Sequence, residues 1–556
     1  MQFMKKNILI AAAITLGSQL YAQTGGQNAV VNVENDYAPV VIEVNKRGFT
    51  PTLDTDIETT PLELVFSQQA QPYTTFTSDR DAREFFPRLE NPYSGYARLG
   101  YGLTNDIDAK LGYTLKTSRR GKMDMLAAFD GFRTDIDGVY REWNSRMFRS
   151  LVKADYSHEF DGLSLGVSGE FNNRVFNYQD TGDNMTLDTD KQNSRNYGLH
   201  ATGVSHLAGP FAYTFNGGFT YNRRSNSSGA DGGTGEVGLN IGGSFVYDIN
   251  AGGVENVGIE TDINGFIYNG TLRDAYYGFT NYTSFDVNPF LNFNFNGWKM
   301  KVGTRMNFVT ANAARFAIAP DLKIEGNINK HVSIYAGIGG GRTNNSLTGI
   351  ERISPYWGFD ERTGRQLKPT YRVTDIKAGA RISLEPVSFD IFAGYTYTKD
   401  DLLQYTENSG KTPQYALIYA NLFQANTHNT FIGGRVGCDF RGWLKASAGA
   451  RYDYWSCDNK DLLVMKPMFT MDVTAEARIF EDLTIKAGYT FAYYTKGETN
   501  GRINNRNELN LRAGYRIFDW LSAYIQGENL LDSEYFEYAG YLTRGARGSI
   551  GATFNF

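Results

Sequence analysis

The sequence predicts an all-β protein: a transmembrane antiparallel β-barrel of about 22 strands. Three observations carry this expectation. Alternating apolar and polar runs repeat from Gly95 onward, separated by short connections and long polar loops in turn. The chain holds 36 Tyr, 37 Phe and 60 Gly but only 14 Pro. Its final strand, within Thr543 to Phe556, closes on an aromatic residue. At 41% hydrophobic and 21% charged it is too polar for a helical membrane protein, whereas a barrel with a wet lumen is both polar and integral. A large soluble β protein is the competing reading. It would need apolar faces packed sheet on sheet, with fewer charges opposite them.

At the N-terminus, Lys5 and Lys6 precede the apolar run Ile8 to Ile14. Small residues then lead to a cut between Ala22 and Gln23, so residues 1–22 read as a signal peptide. The run is too short to span a bilayer, and no Cys follows the cut to carry a lipid anchor. Loss of the two leader lysines takes the formal net charge from -5 to -7, which argues against a nucleic-acid partner. Residues 23–90 show no sustained alternation and read as an extended periplasmic segment. Val31 to Glu43 forms one sticky stretch, and Thr50-Pro51 and Thr60-Pro61 favour extended or turn backbone. Residues 91–556 form the barrel.

The clearest strands lie late in the chain. Ile376, Ala378, Ala380, Ile382 and Leu384 share one face. So do Leu444, Ala446, Ala448, Ala450, Tyr452 and Tyr454, and Phe469 to Ile479 and Leu483 to Tyr493 continue the pattern. In the closing strand Ile550, Ala552, Phe554 and Phe556 face lipid, while Arg547, Ser549, Thr553 and Asn555 face water. Phe554 and Phe556 read as the signal for the barrel-assembly machinery. Short turns at residues 158–162, 207–210, 296–298, 327–330, 384–386, 440–442 and 518–520 mark the periplasmic rim. Long loops at residues 179–193, 271–283, 344–371, 401–425, 497–505 and 533–542 mark the extracellular rim.

Opposite the lipid face, Lys377, Arg381, Lys445, Arg451, Asp453, Asp472, Glu476, Arg478, Lys486, Arg512 and Arg516 line a lumen of mixed sign. Such a lining attracts polar solutes or braces the wall by ion pairs. Other chemistry is sparse. Cys438 lies close to the turn at Gly442 and Cys457 far from it, roughly 40 Å apart in a tight hairpin, so both read as free thiols. The histidines, His158, His200, His206, His331 and His428, assemble into no Ser/His/Asp arrangement, so no enzyme activity is expected. The acidic loop Asp180, Asp183, Asn184, Asp188 and Asp190 lacks EF-hand spacing and reads as solvated. The Gly229 to Gly233 cluster reads as loop material, since no helix follows it. No metal or cofactor is expected.

Glu528-Asn529-Leu530-Leu531-Asp532-Ser533-Glu534-Tyr535, followed by Gly540-Tyr541 and Gly545-Ala546-Arg547, resembles the C-terminal signature of TonB-dependent outer-membrane receptors. That family ends in an Asn-Leu-x-Asp-x-x-Tyr strand, a Gly-containing loop and a closing strand with terminal Phe. The resemblance extends over residues 95–556 and implies the outer membrane and solute transport. It departs at the N-terminus, where the family's plug of well over a hundred residues has no room. The chain therefore looks like a plugless relative. Val30 to Glu34 resembles the apolar box through which such receptors contact TonB, although an ordinary tether would read the same. The alternative function is a non-transporting subunit of a larger outer-membrane complex for protein assembly, secretion or scaffolding. It would engage a periplasmic or outer-membrane partner through the N-terminal segment. Outer-membrane lipids are partners in both readings.

Overall fold

The computed structural model describes residues 93–138, 142–179, 192–206, 209–225, 234–269, 279–311, 315–359, 367–405, 418–440, 442–494 and 504–556. The expected signal peptide at residues 1–22, the 23–90 segment, the acidic loop from Asp180 to Asp190 and the Gly229 to Gly233 cluster lie outside these residues. Twenty-five strands are present among the described residues, of which three short ones, Trp357–Phe359, Phe536–Tyr538 and Tyr541–Leu542, lie in loops. The other 22 pair antiparallel with their sequence neighbours and close into a ring.

The first half of the ring runs through β1 (Gly95–Gly102), β2 (Ile107–Lys116), β3 (Gly121–Ile136), β4 (Trp143–Glu159) and β5 (Leu163–Phe176). It continues through β6 (Gln192–Ser205), β7 (Phe211–Arg224), β8 (Thr234–Ala251), β9 (Val254–Asn269) and β10 (Tyr282–Phe295). Next come β11 (Trp298–Val309), β12 (Phe316–Asn329), β13 (Val332–Thr343), β15 (Thr370–Leu384), β16 (Val387–Tyr405) and β17 (Ala420–Phe440). The last arc is β18 (Leu444–Cys457), β19 (Pro467–Arg478), β20 (Leu483–Tyr494), β21 (Arg506–Phe518), β22 (Leu521–Glu528) and β25 (Arg547–Asn555). The short Trp357–Phe359 strand is β14, and β23 and β24 are Phe536–Tyr538 and Tyr541–Leu542.

Closure is a strand pairing. In the β1–β25 register Tyr96 stands opposite Asn555 and Gly102 opposite Ser549. The terminal residue joins in. Gly95 N donates to Phe556 O at 2.7 Å, and Phe556 N to Gly95 O at 3.0 Å. A Cβ at position 95 would lie 2.6 Å from the Phe556 ring, so the contact requires glycine. The Phe556 ring stacks against Tyr113 with centroids 6.4 Å apart.

The period-two pattern sorts residues between lipid and lumen. Ile550 is 66% exposed on the outer wall, whereas Thr553, on the opposite face, is 3% exposed. Leu99, Ile432, Tyr454 and Ile525 also stand exposed on the outside. Aromatics concentrate at the rims. Phe518 and Trp520 stack at 5.5 Å beside one periplasmic turn, and Trp520 lies 6.3 Å from Phe554. Such girdles sit at the lipid–water boundary.

Turn chemistry sets the registers. Asn296 and Gly297 take φ of 48° and 82°, the two left-handed residues of a tight hairpin that leaves Phe295 opposite Trp298. Gly442 (φ 78°) serves the β17–β18 turn, where its N–H donates to Asp439 Oδ1 at 3.0 Å. In that hairpin Cys438 pairs with Ala446, and Cys457 with Thr427. The two thiols are therefore eleven residues apart along the wall, about 36 Å, and both are free.

The expected loops are displaced in places. Residues 401–405 and 420–425 are strand, because β16 and β17 stay paired through Tyr405–Asn421 beyond a bulge. Leu402 to Tyr405 and Asn421 to Ala425 read as loop in sequence because Asp400 and Asp401 interrupt the alternation. Short extracellular connections at 137–142 and 310–315 and one of nine residues at 458–466 were not marked by loop length.

Lys445→Leu should leave folding intact, since Lys445 lies on the lumen side near the periplasmic rim. Ala448→Arg should lower the yield of heat-modifiable barrel, because Ala448 shares the outward face of Tyr452 and Tyr454. An arginine on the lipid face near midplane costs roughly 2–4 kcal/mol. Band shift on unboiled gels compares the two yields.

Candidate functional site

Among the described residues, parts of two extracellular connections pack together over the lumen as a lid. Its first part is the connection between β13 and β15. There Ser346 caps the helix α1 (Leu347–Ile353), its hydroxyl accepting from Gly349 N at 3.0 Å. Glu236, at the extracellular end of β8, completes the cap. Its carboxylate accepts from the Leu347 N–H, from Thr348 N at 3.2 Å and from the Thr348 hydroxyl at 2.9 Å. A carboxylate against the unpaired N–H groups of a helix start is the favourable orientation. Leu347 and Ile350 are fully buried against Tyr268, Phe279, Tyr282, Val309 and Leu422.

An ion pair ties the far end of α1 to the opposite wall. Glu351 Oε1 accepts from Arg224 Nη1 of β7 at 2.5 Å and from Trp357 Nε1 at 2.8 Å. Arg224 also donates to Pro355 O at 2.7 Å and to the Tyr178 hydroxyl, and its guanidinium lies 4.6 Å above the Trp357 ring. Both charges are almost wholly buried, at 3% and 7% side-chain exposure. Arg174 of β5 donates to the Glu351 carbonyl at 2.9 Å. β14 then pairs parallel with the start of β17. The segment thus crosses the mouth from β13 to β5, β7 and β8.

The second part is the connection from β22 to β25, which carries the Asn529 to Tyr535 motif. Its residue types follow from its bonds. Asn529 sits at φ 47°, donates to Ser533 O at 3.0 Å and to Arg544 O at 2.9 Å, and accepts from Ser533 N at 3.1 Å. Asp532 Oδ1 accepts from Ala546 N at 2.7 Å, and a Cβ at Gly545 would meet that oxygen at 2.5 Å. The Tyr535 hydroxyl donates to Glu508 at 2.8 Å, beside the Arg506–Glu508 pair at 2.7 Å. The motif therefore fastens the last loop to β21 before the ring closes.

The two parts meet at one contact. Tyr356 and Tyr541 stack with centroids 3.7 Å apart and planes within 9°. Tyr541 donates to Ile418 O at 2.5 Å and lies edge-on to Trp143 at 5.8 Å. Burial raises both phenols well above their ordinary range. Phe176, Tyr178, Val464, Met465, Ala492 and Tyr494 extend this cluster. Beneath it lies a cavity of about 170 Å³ lined by Asp106, Asp130, Arg149, Glu537, Tyr538 and Arg547 among others. Arg149 pairs with Asp130 at 2.6 Å, Arg544 with Asp106, and Arg547 with Glu528. Burial raises the Glu537 carboxyl, against the pull of Arg544, Arg547, Arg506 and Arg149.

The charged residues singled out in the sequence alternate with outward apolar neighbours along β15 and β18 to β21. Several meet partners. Arg381 reaches Glu325 at 2.9 Å, Arg451 reaches Asp453 at 2.6 Å, and Lys486 reaches Glu476 at 3.0 Å. Lys377 lies 4.3 Å above the Phe392 ring and Arg512 4.0 Å above Tyr524. Asp472 accepts from the Thr490 hydroxyl at 3.1 Å. Lys445 pairs with Asp439 at 3.5 Å and Arg516 with Asp482 at 2.7 Å, both near periplasmic turns. Arg478 ends β19, its N–H on Trp443 O at 2.7 Å. These residues are spread along the wall, and they do not join the lid.

Sequence reading missed Arg224, Glu236 and Glu351, which hold the lid. The available signal was the apolar content of a long connection, with Leu347, Ile350 and Trp357 too hydrophobic for a solvated loop.

No known protein-family profile matches the sequence, and no curated protein matches it. Solved structures do match in fold. A point variant of the ferric enterobactin receptor of Pseudomonas aeruginosa is 12% identical with a TM-score of 0.63, over 83% of this chain and 80% of that one. The ferric-catecholate import receptor Fiu of E. coli K12 is 10% identical with a TM-score of 0.61, over 85% and 82%. The FrpB iron transporter of Neisseria meningitidis is 10% identical with a TM-score of 0.65, over 86% and 83%. Identity at this level speaks to the fold alone. A closed 22-strand ring with an apolar outer belt and aromatic rims, sharing the fold of these receptors, is an outer-membrane β-barrel.

Proposed function

We infer that the protein moves a solute across the outer membrane, with the extracellular lid as its gate and the charged inner wall as its path. The observation that carries this reading is the lid. It spans a wide ring, yet it is anchored by a few polar contacts, above all Arg224–Glu351. In this reading the barrel has no plug domain. Residues 23–90 lie in the lumen or engage TonB or another periplasmic partner. Lys377, Arg381, Arg451, Asp472 and Lys486 guide polar solutes along the wall. The similar proteins, a ferric-catecholate import receptor and an iron transporter among them, support iron-carrying solutes as the first class to try.

A second reading, a non-conducting subunit of a larger outer-membrane complex, draws support from the same lid. Its Tyr356–Tyr541 cluster is buried like a protein core.

Planar-bilayer recording separates the two. The full-length protein should conduct little. Glu351→Ala leaves the Arg224 charge buried without its carboxylate, which costs about 3–5 kcal/mol. Open events should then appear while the barrel still shifts on unboiled gels. Persistent closure of the variant, with its lid cleaved by added protease, would favour the subunit reading.

Glu537 gives the gate a pH dependence. Its carboxyl is raised in the closed lid, so ionisation disfavours closure. The closed lid is therefore favoured at low pH, and that advantage is lost as pH rises through the shifted value. Open events should become more frequent from pH 5 to pH 8, and Glu537→Gln should flatten that rise. An unchanged pH profile in the variant would exclude Glu537 as the source.

A further inference from the structure

The outer wall carries an arrangement that neither the lumen nor the lid uses. Arg195 of β6 and Arg223 of β7 stand directly opposite each other in the antiparallel register. Both are exposed, and both lie on the outward face, which Leu199 and Phe219 continue at 55% and 42% exposure. Neither makes an ion pair or hydrogen bond among the described residues. Directly opposed like charges destabilise a sheet when nothing neutralises them.

Their height on the wall is informative. The next outward pair toward midplane is Tyr197 and Tyr221, stacked with centroids 6.1 Å apart, and Tyr197 also packs on Phe171 at 5.0 Å. An aromatic row of this kind marks the boundary of the hydrocarbon. Two residues further toward the extracellular side, about 7 Å above it, lies the headgroup layer. The arginines occupy that layer. Along the same arc Arg133 of β3 faces Arg146 of β4, also directly across the register. Asp135 lies nearby, its carboxylate accepting from Asn144 at 2.7 Å.

We propose that Arg195 and Arg223 form a binding site on the lipid-facing wall for a phosphorylated lipid headgroup of the outer leaflet. Two guanidinium forks at directly opposed register positions supply planar sets of N–H donors for phosphate oxygens, which lysine does not. A bound phosphate also removes the repulsion between the pair. The tyrosines below accept the acyl chains against their rings. The ligand class is a phosphoglycolipid, held from the membrane side and independent of any cargo in the lumen.

The test uses the full-length protein and its R195A/R223A variant, both purified in detergent. Native mass spectrometry with added bisphosphorylated lipid A reads the fraction of protein carrying lipid. The double variant should hold about tenfold less. Thermal unfolding adds a readout whose sign distinguishes the site from a structural role. Without lipid A the variant should melt at or above the parent temperature, since repulsion is relieved. With lipid A the parent should melt higher than the variant. Monophosphorylated lipid A should protect the parent less. Equal lipid retention by both proteins would overturn the proposal, as would neutralisation of the pair by the acidic β5–β6 connection, which would abolish any lipid A-dependent shift. Equal protection by inorganic phosphate at the same concentration would also overturn it, assigning the pair to a soluble anion.

Discussion

Every backbone N–H and C=O that crosses lipid must find its partner in a neighbouring strand, so this protein rests on the pairing of its first strand with its last. An open sheet would leave one row of unpaired groups on each edge. Here β1 and β25 remove both rows, and the reciprocal bonds between Gly95 and Phe556 carry the pairing to the final residue. The rest of the architecture follows. Once the ring is closed, alternation alone decides which side chains meet lipid. Turn residues such as Asn296-Gly297 need only hold the register that alternation demands.

Closure creates the problem that the extracellular loops answer. A ring of 22 strands encloses a wide lumen. The loop between β13 and β15 crosses it and meets the loop between β22 and β25 at Tyr356 and Tyr541. The lid is bound to the ring by contacts of another kind from those within the ring. Strand pairing is continuous and built of many equivalent bonds. The lid hangs on a set of separate contacts, among them the Glu236 cap, the Arg224–Glu351 pair, the pairing of β14 with β17 and two buried apolar clusters. Buried ion pairs add little net stability when intact, but losing one partner is costly. That asymmetry makes the lid the part of the molecule a local change can open.

Much of the ring was legible in the sequence. Ile550, Phe554 and Thr553 take the sides that their period-two spacing implies, and the strand count matches the expected number. The free thiols followed from the distance of Cys438 and Cys457 from one turn. The Asn529 to Tyr535 motif was recognisable as a pattern, and its reason became visible in the bonds of Asn529, Asp532 and Gly545. The lid was not legible. Arg224 and Glu351 are 127 positions apart, and no periodicity links a strand end to a helix of seven residues in a distant loop. Boundaries also slipped where charges interrupt alternation, as at Asp400 and Asp401 in β16. The lumen residues were chosen by face. Which of them would pair, as Lys486 does with Glu476, depends on cross-strand register, which alternation does not specify.

In the proposed function a rigid ring carries a separately opening lid. Amide hydrogen exchange on the protein in detergent micelles tests it most directly, because exchange reports the opening of each unit on its own. Leu347–Ile353 and Tyr538–Leu542 should exchange together and well before the strands on which they rest, while β1 and β25 should stay protected longest. Exchange of the lid at the same rate as the strands, as one cooperative unit, would contradict it.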